Sequence, residues 1–388
     1  MNFGDFLYFC LKCKLQDMET DITLYFDKPE ELPSDIYFLP EKDTFKSTLV
    51  TENYDVAIIG VKSELNSMNK GTALAPDAIR KHLYKLRGGF EKLRICDFGN
   101  IKKGNKPTDM RFALRDIVAE LNAKKIIPIV IGGSQDLSVS IFNGLKENMD
   151  EVNVVIIDPK ADLQKEPDLF DSFSFLNQLI DDEKLNRLDL LGYQNYYCSN
   201  EQLMMLKERN FFGIRVGTLR GNMGQSEPIF RDCDFLSFDI TAVRQSDAPG
   251  TGFPFPNGLF GEEACQLARF AGFSDKIASF GIFEVNPYFD NNDQTSALAA
   301  QIIWHFIESL NSRYGDFPVR SIDSYQKYVI PDITGNDEMV FYHNNLNNRW
   351  WVEIPTQKGK RIFSCSYGDY RCASNNQIPD IWMKYYLK

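Results

Sequence analysis

Val152-Asn153-Val154-Val155-Ile156-Ile157-Asp158-Pro159-Lys160-Ala161-Asp162 is a β-branched apolar run that ends abruptly in acidic and turn-forming residues. A run without polar alternation is the mark of a strand buried on both faces, as in a parallel sheet covered by helices on either side. The pattern recurs outward in both directions. Ile126 to Ile131 runs into Gly132-Gly133-Ser134-Gln135-Asp136, Phe235 to Ile240 carries Asp239 and leads to Thr241, and Ile277 to Phe283 is followed by Glu284-Val285-Asn286-Pro287. Val56 to Val61, Arg94 to Cys96 and Phe211 to Val216 are further strand candidates.

Between these runs the period changes to that of a helix. Pro76 opens a segment to Leu86 that turns Ile79, Leu83 and Leu86 inward. Thr108 and Asp109 supply cap candidates ahead of Met110, Ala113, Leu114, Ile117, Val118 and Leu121, which share one face. Thr295 to Leu310 presents another broad apolar face, with His305 at its border. The expected fold is an α/β, three-layer α/β/α sandwich with a mostly parallel central sheet. Domain limits are expected at 1–50 (an N-terminal extension), 51–325 (the α/β domain) and 326–388, an aromatic-rich extension with Trp350, Trp351, Tyr367, Tyr370 and Trp382 that packs on the core.

The 388 residues exceed the ~150 of a typical domain, and the flanking extensions account for most of the excess. With 43 Lys+Arg against 54 Asp+Glu, a net charge of −11 and no basic block, nucleic acid is excluded as a partner. The longest early apolar stretch, Phe6 to Leu11, is too short to span a membrane, so the expected location is the cytoplasm. Cys10 and Cys13 form a C-x-x-C without a second pair or a nearby His, the other six cysteines are scattered as expected of free thiols, and Met18 is an alternative start. Only His82, His305 and His343 are available as imidazoles, and each lies outside the polar strand ends.

Ligands of open parallel sheets bind at the carboxyl ends of strands, where this sequence places its aspartates. A single Asp after a strand is usually a turn former or helix cap; several at successive strand ends with a Gly-Gly turn form a candidate site. In order, these residues resemble the ureohydrolases: arginase, agmatinase and formimidoylglutamase. Asn69 to Arg80 is similar to the family's early Gly…Gly-Pro…Ile-Arg segment, Ile131 to Asp136 to Gly-Gly-Asp-His-Ser, Asp158 to Asp162 to Asp-Ala-His-Ala-Asp, and Ser237 to Thr241 to Ser-Phe-Asp-Val-Asp. Ala248 to Gly252, Gly258-Leu259 and Glu284 to Pro287 complete the series. The extended tail and Gly261 to Cys265 resemble the formimidoylglutamase branch in particular.

The resemblance implies two manganese ions sharing a hydroxide that attacks a guanidinium or formimidoyl carbon. The six ligand positions it designates hold Gln135, Asp158, Lys160, Asp162, Asp239 and Thr241, where the family has His, Asp, His, Asp, Asp and Asp. One ion would keep an all-oxygen shell of Gln135, Asp158, Asp162 and Asp239, suited to a single divalent metal such as Mn²⁺ or Mg²⁺. Lys160 among carboxylates stays charged, cannot ligate, and is expected where the second ion would be; the alternatives are that it bridges the aspartates with no metal bound, or points to solvent. Three aspartates and one lysine leave −2, the charge of one divalent ion.

No histidine lies in Leu163 to Asn200, where the family carries a further active-site His. Glu284 corresponds to the carboxylate that receives a cationic substrate head, or else is a buried hydrogen-bonding group. The expected function is a non-catalytic or altered ligand-binding family member. The alternative is hydrolysis of a C–N bond in a linear amidine by a single-metal site in which Asp158, Asp239 and Lys160 act. A small amidine or amino-acid derivative is the expected ligand, and a homo-oligomer the expected assembly.

Overall fold

The structure is a computed structural model that describes residues 22–27, 37–38, 54–106, 108–164, 171–209, 211–331 and 338–386. Cys10, Cys13 and Met18 lie outside the described residues, as does most of 1–50.

Nine strands make the main sheet: β1 (Phe26–Asp27), β2 (Val56–Val61), β3 (Ile95–Ile101), β4 (Ile127–Gly132), β5 (Val152–Ile157), β6 (Leu185–Tyr193), β7 (Phe212–Arg215), β8 (Phe235–Asp239) and β9 (Ser279–Phe283). Their spatial order is β1-β3-β2-β4-β9-β8-β5-β6-β7, and every pairing is parallel except that of the edge strand β1. Side-chain alternation sends Val56, Ile58, Ile129, Ile131, Val155 and Ile157 into one apolar layer, and Ala57, Ile59, Val130, Val154 and Ile156 into the other. Helices Ala75–Leu83, Gly261–Gly272 and Gln294–Asn311 cover the first layer; Asp109–Ala123 and Ser138–Leu145 cover the second. The three-layer, mostly parallel α/β architecture expected from the sequence is present.

The differences are instructive. Strand β3 extends to Ile101, well past the expected Cys96, because Arg80 holds its polar end. The fully buried guanidinium donates to Asp97 through Nε (2.8 Å) and Nη2 (3.0 Å), to the Asn100 side chain (2.6 Å) and to the Gly99 carbonyl (2.8 Å). Tyr84 also donates to Asp97. Hydrogen-bonded in this way, Asp97-Phe98-Gly99-Asn100 can be strand although half of it is polar and its backbone turns at Gly99.

After the last core helix, β10 (Gln326–Pro331), β11 (Glu338–Asn344), β12 (Arg349–Thr356) and β13 (Gly359–Cys365) form a separate antiparallel sheet followed by helices Tyr367–Ser374 and Asp380–Tyr385. Met339, Phe341, Trp350, Val352, Ile354 and Trp382 share an apolar cluster there. Polar contacts join this sheet to the core. Arg231 donates to the carbonyls of Trp350 (3.0 Å) and Cys365 (2.7 Å), and Asp232 accepts from the Ser364 amide (2.9 Å) and hydroxyl (3.0 Å).

Two outcomes follow from these buried charges. Arg80→Ala strands Asp97 without its cation and should cost about 3–5 kcal/mol in urea unfolding. For Asp232, burial pushes the carboxyl up, but Lys276, Arg187 and the Ser364 amide outweigh it, so its pKa falls below the ordinary 3.8. Its contribution is therefore complete above pH ~4–5 and is lost as pH falls through the folded value. Asp232→Asn should lower stability at neutral pH and flatten the acid limb below pH ~4, followed by near-UV dichroism of the junction tryptophans.

Candidate active site

Four adjacent central strands, β4, β9, β8 and β5, bring Gln135, Glu284, Asp239 and Asp158 to one edge of the sheet, at their carboxyl ends. Each aspartate is tethered by its own turn. Asp158 accepts from the Lys160 amide (2.7 Å) and Asp239 from the Thr241 amide (2.6 Å), the two-residue reach that makes Asp a turn former. One oxygen of each is thus committed to the backbone. One oxygen each from Asp158, Asp162 and Asp239 lies within 4.8 Å of the others, and all three residues are buried.

The Gly132-Gly133 turn sets the fourth position. A Cβ on Gly133 would come within 1.7 Å of the Ser63 carbonyl, so only glycine lets β4 turn there. Gln135 then donates through Nε2 to the Ser237 hydroxyl (3.2 Å), which leaves its Oε1 buried. Gln135 Oε1 is buried without a hydrogen-bond partner among the described residues. Such a group costs free energy unless something else satisfies it.

Lys160 joins the cluster from the β5 turn. Its ammonium is 3.7 Å from Asp162 Oδ1 and 4.0 Å from the centre of the Phe173 ring. Burial lowers the lysine pKa, but Asp162, Asp158, Asp239 and Glu284 together raise it above its usual value, so it stays charged. The carboxyls move in the same direction for another reason. Burial, then mutual repulsion, lifts Asp158 far above the carboxylate range; burial chiefly lifts Asp162, and takes Asp239 to about 7.

Glu284 lies under this cluster at a left-handed backbone position, φ 65°. Its Oε1 accepts from the Gln135 amide (2.9 Å) and its Oε2 from Asn69 Nδ2 (3.0 Å), while Asn286 Nδ2 donates to Asn69 Oδ1 (2.6 Å). Burial and then Asp239 push its pKa to about 8. Gly71 seats the Asn69 loop: with φ 115° and Asn286 Oδ1 2.4 Å from where a Cβ would be, it admits no side chain.

The structure therefore gathers Gln135, Asp158, Lys160, Asp162, Asp239, Thr241 and Glu284 at one rim. Asn69 and Phe173 were not singled out from the sequence as site residues. Asn69 opens the Asn69 to Arg80 segment; Phe173 carries no distinct signal, because it is one of three closely spaced phenylalanines with Phe170 and Phe175. The histidines stay away: His82 pairs with Asp293 (3.2 Å), His343 stacks on Trp350 at 4.2 Å, and His305 lies on the Gln294–Asn311 helix.

A sequence model described as Arginase family matches residues 54–308, most of the chain. The chain belongs to the arginase family. Among its ureohydrolase relatives, the formimidoylglutamase of Staphylococcus haemolyticus is 26% identical over 257 residues, covering 63% of this chain and 81% of that one. The proclavaminate amidinohydrolase of Streptomyces clavuligerus is 26% identical over 279 residues, covering 64% and 86%. The fold is shared with Trypanosoma cruzi formiminoglutamase, solved with Mn²⁺ (TM-score 0.64, 22% identity, 69% and 97% covered). It is likewise shared with Bacillus subtilis formimidoylglutamase (TM-score 0.64, 19% identity, 74% and 98% covered). The C-terminal sheet and its helices lie beyond the matched family region.

At this rim the Lys160 ammonium has no lone pair to offer a cation while it stays charged, and Thr241 offers only a hydroxyl. The clustered Asp158, Asp162 and Asp239 oxygens, with the orphaned Gln135 Oε1 at the same strand ends, are oxygen donors of the kind a hard cation takes. Glu284 is a structural clamp in its hydrogen bonding, so Glu284→Ala should destabilise the protein by roughly 1–3 kcal/mol in chemical unfolding with no ligand added, by stranding the buried Gln135 amide.

Proposed function

We propose that this arginase-family protein has lost two-manganese amidine hydrolysis and serves as a ligand-binding member. In this reading its rim holds one divalent cation, Mn²⁺ or Mg²⁺, through Gln135, Asp158, Asp162 and Asp239. The observation that carries it is the Lys160 ammonium, 3.7 Å from Asp162 and seated on Phe173, at a position where the family supplies an imidazole. A fixed positive charge there neutralises one carboxylate and competes with a second ion. The remaining carboxylates call for about two further positive charges, which one divalent ion provides.

Loss of turnover follows from the proton inventory. Hydrolysis of an amidine needs a group that takes a proton from water and one that delivers a proton to the leaving amine. Lys160, raised in pKa by the carboxylates around it, holds its proton too tightly to be a base. Glu284 has both oxygens engaged by Asn69 and the Gln135 amide. No described histidine reaches the rim. A bound divalent ion would supply positive charge to orient a carboxylate, carbonyl or amidine of a small ligand. The protein's own part would be to hold that ion among buried acidic side chains and to place Lys160 and the Phe173 ring beside it. The proposed ligand is a small amidine or amino-acid derivative.

Single-metal hydrolysis is the second reading, and the retained convergence of Asp158, Asp162 and Asp239 favours it. Both are separated by incubating the protein with Mn²⁺ and arginine, agmatine, guanidinobutyrate or formimidoylglutamate while measuring ammonia, urea and formamide. The expected result is no product above background. Turnover that Asp158→Asn abolishes would replace the binding role with the single-metal enzyme. Metal analysis of protein purified without chelators should give about one divalent ion per chain, lowered by Asp158→Asn; less than roughly a tenth of an equivalent would remove the cation from the account.

A further inference from the structure

At the opposite, amino ends of the strands, a second chemistry-bearing place has formed where the C-terminal sheet meets the core. A cavity of about 260 Å³ opens there beside Asn153 and Asn186, at the starts of β5 and β6. Arg187, Arg209, Lys276, Lys358, Arg361 and Lys384 all line it. Half of these cations come from the core and half from the C-terminal unit, outside residues 54–308.

Fewer carboxylates answer them. Asp189 takes Arg187 and Lys384 (3.0 Å), Asp232 takes Lys276 (2.7 Å) and Arg187 (3.7 Å), Glu151 takes Lys358 (2.6 Å) and Arg361 (2.7 Å), and Asp181 takes Arg209 (2.7 Å). Among the described residues six cations thus share four carboxylates, leaving about two positive charges over. Asp234 nearby is spent on Asn153 and is held up to about 7 by burial, so at neutral pH it offsets only part of that excess. Burial also draws Lys384 down to about 8 even though Asp189 is in contact with it, as expected of an ammonium short of counter-charge.

An independent observation points into the same cavity. The Tyr385 hydroxyl is buried and has no hydrogen-bond partner among the described residues, although its ring is packed face to face with Phe363 at 4.1 Å. Both rings line the cavity. A buried hydroxyl beside surplus guanidinium and ammonium groups is a donor set awaiting an acceptor with several oxygens.

We propose that this cavity is a phosphate-binding site that takes inorganic phosphate or the phosphate group of a small phosphomonoester, with Tyr385, Lys384 and Arg187 as its central donors. A dianionic oxyanion matches the excess charge, and guanidinium and ammonium groups together suit its tetrahedral oxygens better than a planar carboxylate's two. The site is distinct from the aspartate rim and does not depend on how that rim is read.

Titration calorimetry of the full chain with inorganic phosphate and with phenyl phosphate, at constant ionic strength against chloride, tests it. Saturable one-to-one binding with a Kd in the millimolar range or below is expected. Tyr385→Phe removes a hydroxyl that bonds to no described residue; it should leave the ligand-free melting temperature unchanged and weaken binding about tenfold. Lys384→Met should weaken it further, and if that variant fails to fold, Tyr385→Phe alone decides. Tighter binding of phenyl phosphate assigns the site to a phosphate ester held against the Tyr385–Phe363 wall, and equal or weaker binding assigns it to free phosphate. Absence of saturable binding up to about 10 mM, or an unchanged Kd in Tyr385→Phe, overturns the proposal.

Discussion

Three carboxylates buried within reach of one another cannot all stay ionised unless positive charge is placed among them, and the centre of this molecule is organised around that constraint. Parallel packing of β4, β9, β8 and β5 directs four polar strand ends to a common point. Turn formation commits one oxygen of Asp158 and one of Asp239 to the following backbone, so their remaining oxygens project into the cluster rather than back to solvent. The ammonium of Lys160 then supplies the resident positive charge. Removing the lysine would increase the repulsion; adding a second divalent ion would oppose it.

The scaffold around the cluster is correspondingly rigid. Glu284 occupies a backbone conformation that few side chains adopt, and it is held there by the Gln135 amide in the turn after β4 and by Asn69. Asn69 is itself fixed by Asn286, so three loops from distant parts of the chain close on one carboxyl group. The bidentate Arg80–Asp97 pair serves the same end farther out, letting a polar strand end run deep inside the domain. In each case a buried polar or charged group is matched by donors from a different element, and that matching ties the layers together.

The parallel core was legible because its strands are continuous β-branched runs with polar ends, and the rim was legible because those ends repeat. Val56–Val61 and Val152–Ile157 have the limits that their apolar composition implies. Strand β6 was hidden: Asn186, Arg187 and Asp189 interrupt its apolar run, and only the partners Lys384 and Asp232 in space make Arg187 and Asp189 compatible with burial. The C-terminal strands carry lysines, arginines and aromatics together, so neither period stood out. His82 showed no acidic neighbour in sequence because its partner, Asp293, is far along the chain. Motif order identified the family, whereas Phe173 and the Asn69 clamp required three dimensions.

Family membership thus leaves the chemistry to individual residues. In the proposed reading, Lys160 stands where the family resemblance implies a metal-ligating imidazole, and its ammonium leaves the rim suited to one cation rather than two. The most direct measurement of this account is a crystal structure of the protein grown with Mn²⁺, read by anomalous scattering at the manganese edge. One anomalous peak is expected, bounded by Asp158, Asp162, Asp239 and Gln135, with the Lys160 ammonium beside it. Two peaks sharing the aspartates, or none at saturating Mn²⁺, would contradict it.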